Sequence, residues 1–101
     1  MIVPITYELQ LQKSYDKILH IYPALKSTFA FLACRNHCRD IFGHCNKKGK
    51  ILFEMTFDDP TVALALINDH EAVILQTRQN AILVIDLNNY STWKLPFLFM
   101  L

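Results

Sequence analysis

Glycine is nearly missing from this chain, with only Gly43 and Gly49 among 101 residues. Dinucleotide-binding G-x-G-x-x-G turns, phosphate-cradling P-loops and G-x-S-x-G nucleophile elbows each need several glycines, for tight turns or close backbone approach. Enzymes built on those motifs are excluded. Long apolar runs are also lacking. "TFAFLAC" (28–34) and "LPFLFML" (95–101) fall far short of the roughly 20 residues that cross a bilayer as a helix, so no membrane partner is expected. "MIVPITYELQLQK" has no basic start and alternates apolar with polar residues, unlike a secretory leader. Cysteine is sparse and odd in number, three in all, which argues against a disulfide framework. The expectation is a cytoplasmic protein with reduced thiols.

What the chain does have is apolar bulk. The hydrophobic fraction is 52%, with seven Phe, four Tyr and one Trp, enough to form one core and to argue against disorder. The length fits a single domain spanning 1–101. The apolar excess suggests a surface buried against another chain. Net charge is +1, but Lys and Arg concentrate in the first half and Asp and Glu in the second. Such asymmetry suggests electrostatic pairing within the fold or between copies.

Periodicity predicts an α+β domain of order β-α-α-β-α-β-β-β, its helices packed on one face of a largely antiparallel sheet. "ITYELQLQ" alternates as a half-buried strand, and Ser14 can cap a helix carrying Tyr15, Ile18, Leu19 and Tyr22 on one face. A second helix is predicted from about Ala24 to Phe42, closed by Gly43. "ILFEMTF" reads as a strand, "DDP" as a helix start, and "TVALALIND" as a short apolar helix. "AVILQTR", "AILVIDL" and "WKLPFLFML" then form a meander. No internal repeat is visible.

The densest cluster of reactive side chains is "CRNHCRDIFGHC", residues 34–45. On a helix Cys34 and Cys38 share a face with Phe31 and Ile41, so they are read as core. A metal site would need Cys34, Cys38, His44 and Cys45 together. A continuous helix separates Cys38 from Cys45 by roughly 10 Å, too far for zinc–sulfur bonds of about 2.3 Å. Arg35, Arg39, Lys47, Lys48 and Lys50 are expected to form a basic patch for an acidic partner or a phosphate backbone.

These features predict a small non-catalytic protein-interaction or inhibitor module with no cofactor. Its interface is expected at Phe97, Leu98, Phe99, Met100 and Leu101, where alternation is lost and both faces of the segment need cover. A homodimer is the simplest partner, besides an unidentified protein. Two alternatives are a zinc- or nucleic-acid-binding regulator acting through residues 34–50, and a small-ligand sensor.

Overall fold

The computed structural model of the chain describes residues 9–35, 39–58, 62–76 and 81–96. Among the described residues there are eight strands: β1 (Lys17–Ala24), β2 (Thr28–Arg35), β3 (Arg39–Cys45), β4 (Ile51–Phe57), β5 (Val62–Leu66), β6 (Glu71–Gln76), β7 (Ala81–Asp86) and β8 (Thr92–Pro96). They form two antiparallel sheets, each paired in chain order: β1-β2-β3-β4, and β5-β6-β7-β8. The α+β expectation is therefore wrong. The only helical residues described are one 3-10 turn, Leu25–Ser27.

Each predicted helix fails for an identifiable reason. The span 24–42 becomes β2, a connection and β3, because β2 is covered on both sides. Ala30 and Leu32 face one core, while Phe31 and Ala33 face another. A strand buried on both faces loses its alternation and looks like a broad helix face. The region expected to follow a Ser14 cap is β1, a strand at the edge of its sheet whose register slips between Ile18 and His20. "VALAL" is β5, again an apolar run without alternation. The strands expected at "ILFEMTF", "AVILQTR" and "AILVIDL" are present as β4, β6 and β7.

The sheets stack to form the main core. Ala30, Leu32, Phe42 and Phe57 of the first sheet meet Leu64, Ala72, Ile74, Leu83 and Ile85 of the second. The sense of stacking follows from backbone hydrogen bonds. In an L-residue strand the side-chain face and the lateral direction of the carbonyl are coupled, so residues bonding toward one neighbour share one face. The Cys34 carbonyl accepts the Asp16 N–H on the β1 side of β2, and the Glu71 carbonyl accepts the Ile67 N–H on the β5 side of β6. Cys34 shares a face with Ala30 and Leu32, and Glu71 shares one with Val73 and Leu75. Those two faces are topologically equivalent, and we term them the back faces. The core, however, pairs Ala30 and Leu32 with Ala72 and Ile74, which lie on the front of the second sheet.

The back of sheet one thus sits on the front of sheet two, in the same sense. Corresponding strands recur at roughly 40–45 positions. Successive blades of a β-propeller stack in this way. The repeat is architectural, and sequence periodicity does not reveal it.

The front of sheet one is closed by residues 9–16. Leu9, Leu11 and Tyr15 pack on Phe31, Ala33 and Cys45. The Tyr15 hydroxyl donates to Glu54 Oε2 at 2.7 Å, and Lys13 Nζ reaches Glu54 Oε1 at 2.9 Å. The Arg35 guanidinium lies 5.0 Å from the Tyr15 ring centroid. The Gln12 N–H donates to the Gly49 carbonyl. Gly43 is required here for space: a Cβ would collide with the Phe31 ring lying over it. Gly49 is required for conformation as well, since its φ is +84° and a Cβ would strike the Gln10 carbonyl.

Candidate functional site

The back of sheet two is the most unusual surface among the described residues. Register places two cross-strand rows on it. One row runs Ala65, Val73, Val84, Trp93; the other runs Ala63, Leu75, Ile82, Leu95. All eight residues are apolar. Val84 is buried, while Trp93 is 42% and Leu95 49% exposed. Glu71 and Asp86, which pair across β6 and β7, close one end of this face. Antiparallel sheets with one open side ordinarily turn polar side chains outward there, which sets this apolar face apart.

Between the two sheets sits a polar tie. The Thr28 hydroxyl donates to the Leu25 carbonyl at 2.6 Å, so its oxygen accepts from His44 Nε2–H at 2.7 Å. His44 Nδ1 then accepts the Tyr90 O–H at 2.8 Å. This chain of bonds fixes the imidazole tautomer. Tyr90 lies beyond β7, and its ring stacks on Phe53 of β4 at 4.4 Å between centroids and 8° between planes. Burial holds the His44 imidazole below its ordinary range and pushes the Tyr90 phenol up. His44 is thus a neutral structural link between the sheets, with both ring nitrogens engaged.

That use of His44 bears on the metal expectation. Cys45 is adjacent on β3 and faces the opposite side of the sheet, in the cluster with Phe31 and Ala33. Desolvation raises its thiol to about 11, an unreactive core cysteine. Cys34 is half-buried near the far end of β2, and Cys38 lies outside the described residues. Among the described residues no group of three or more His, Cys, Asp or Glu is arranged to hold a metal ion. Strand alternation separates side chains that a helix reading had placed side by side.

The basic span is divided as well. Arg35 and Arg39 pair at one end of the β2–β3 ladder. Arg35 turns toward the Ser14 carbonyl and Glu54 Oε2, at 3.4 and 3.7 Å. Lys47, Lys48 and Lys50 lie at the opposite end, in the β3–β4 connection, roughly 20–25 Å away at the usual strand rise. Lys47 and Lys48 line a shallow depression there with Lys26, Ser27 and Asn46. Phe97, Leu98, Phe99, Met100 and Leu101 lie outside the described residues.

A second concavity opens between the outer strands of the two sheets, lined in part by Met55, Phe57, Gln76, Leu83, Thr92 and Lys94. Gln76 is buried there, and its Oε1 has no hydrogen-bond partner among the described residues. Sequence reasoning missed both this glutamine and the apolar sheet face, because each depends on strand register. The signal that was present is the alternation of "TWKL", which sends Trp93 and Leu95 to one side.

No protein-family model, curated protein or solved structure matches the chain. Among the described residues no helix is long and apolar enough to cross a membrane.

Proposed function

We propose that the chain is a non-catalytic protein-interaction module whose working surface is the back of its second sheet. The observation that carries this is the pair of apolar rows, with Trp93 and Leu95 standing exposed at the β8 edge. Burying such a face removes apolar surface from water at about 25 cal/mol per Å², and aromatic anchors of this kind commonly dominate contact energetics. The stacking already present inside the molecule supplies a template for the contact: an apolar sheet front seated on an apolar sheet back.

Trp93 is the only tryptophan in the sequence and therefore reports on the face directly. Its emission in dilute protein should be red-shifted and readily quenched by acrylamide. A blue-shifted, unquenched Trp93 in the dilute monomer would mean that the chain closes this face itself, and the reading would fail.

A second reading is a small-ligand module using the cleft at Gln76. The Gln76 Oε1, unpaired among the described residues, favours it, since a buried acceptor without a donor costs about 1–3 kcal/mol. Under this reading Gln76→Leu abolishes ligand-induced stabilisation in a thermal-shift screen of small polar compounds. If no compound raises the melting temperature of the native protein, the cleft is merely structural.

A further inference from the structure

The two rows on the back of sheet two are graded in size. Each begins with alanine on β5 and continues through branched residues on β6 and β7; the first then ends in the much larger Trp93, and the second in Leu95, equal in size to Leu75 and Ile82. The face therefore has a trough along Ala63 and Ala65 on β5 and rises to its highest point at Trp93 on β8, beside Leu95. Consider a two-fold axis parallel to the strands, lying between two such faces. It places β8 of one copy over β5 of the other and leaves each row in its own level. Trp93 then meets Ala65, and Leu95 meets Ala63, twice over. A two-fold axis perpendicular to the strands instead sets β8 on β8 and trough on trough.

We propose that a second copy of this chain docks on this face, back to back, through the first of these two arrangements. The inference rests on the interaction reading above and names its partner. The contact is isologous and closes at two copies, so it forms a dimer without filaments. A front-on-back contact like the internal one is unavailable to a second copy, because residues 9–16 cover the front of sheet one. Four strands about 4.8 Å apart and five residues rising about 3.3 Å each give a face of about 19 by 17 Å. With side-chain relief, two such faces bury roughly 1,000 Å² in total, the low end for specific association. The dimer is accordingly a weak, concentration-dependent one.

Charge modulates the fit. The same axis brings Glu71 of each copy opposite Asp86 of its partner at one rim. Glu71 is held toward its own loop by the Asn68 amide at 2.7 Å, with His70 Nε2 at 3.8 Å, and both carboxylates are partly open to solvent. The repulsion is screened at physiological salt, so raising NaCl from 20 to 300 mM strengthens the dimer instead of weakening it.

The test is sedimentation velocity on the full chain from 1 to 200 µM, with acrylamide quenching of Trp93 on the same samples. The expected result is a monomer–dimer equilibrium in which Trp93 becomes protected as mass doubles. Ala65→Trp fills the trough and should weaken association at least tenfold, although it adds apolar surface. Combining it with Trp93→Ala exchanges high point for trough under the same axis and should restore the dimer. Should Ala65→Trp not fold, Ala63→Leu fills the parallel trough and should have the same effect. Association that is unchanged or stronger in the trough-filling variant overturns the proposal. So does a monomer at 200 µM whose Trp93 stays quenchable; that result leaves the interaction reading standing with another occupant, such as a further four-stranded sheet. Trp93 shielded at every dilution overturns both.

Discussion

Replacing Tyr90 by Phe removes one oxygen and keeps the ring that stacks on Phe53. What is lost is the O–H donor to His44 Nδ1, a 2.8 Å bond joining the turn after β7 to the centre of sheet one. His44 is 2% exposed, so the vacated acceptor is cut off from water. Leaving a buried acceptor unpaired costs about 1–3 kcal/mol. In a domain of this length each kcal/mol moves the melting temperature by about 4–8 °C, so a drop of roughly 5–20 °C is expected. Burial is what holds the His44 imidazole below its ordinary range, and the substitution leaves that burial in place, so the ring should stay neutral and its titration should stay low. Differential scanning calorimetry reads the first outcome and imidazole carbon NMR shifts the second. If Tyr90→Phe melted within 2 °C of the parent, the inter-sheet tie would not contribute as described.

Further outcomes follow from the same geometry. Because burial holds His44 below its unfolded value of 6.5, its contribution is complete above about pH 6.5. It fades as pH falls through the lower folded pKa, so acid unfolding should lose part of its slope in His44→Gln. Gly43→Ala forces a Cβ into the Phe31 ring and should cost about 1–3 kcal/mol in denaturant titration, most of it recovered by adding Phe31→Leu. For Glu54, burial opposes its charge, but the bonds from Tyr15 and Lys13 outweigh it and hold the carboxyl below the usual range. Glu54→Gln should therefore speed amide exchange at Gln12 and Asp16 while leaving sheet two unchanged. Gly49→Ala, with φ at +84° and the Gln10 carbonyl against it, should loosen the same segment by a different route.

The meander of the second half was legible in the sequence, because β6 and β7 carry Val, Ile and Leu between polar breaks. The first half was not. "FAFLAC" is apolar at every position since Phe31 lies under Leu11 and Tyr15 while Leu32 lies under sheet two, and no local pattern distinguishes that from a helix. Cys34, His44 and Cys45 illustrate the consequence. A helix reading groups them, whereas strand alternation sends His44 to Tyr90 and Cys45 to Phe31. Trp93 and Leu95 were visible as apolar residues, but the rows they complete exist only once β5, β6, β7 and β8 are in register. The Tyr90–His44 bond spans 46 positions, beyond the reach of any periodicity argument.

The two sheets stack in the same sense, which leaves Trp93 and Leu95 exposed on the back of sheet two. Methyl and aromatic NOEs in labelled protein test it most directly. Cross-peaks are expected from Leu32 and Phe42 to Ile74 and Ile85, with none from Leu32 or Phe42 to Leu75 or Val84. Cross-peaks linking Leu75 and Val84 to Leu32 would place the other face of sheet two in the core and contradict it.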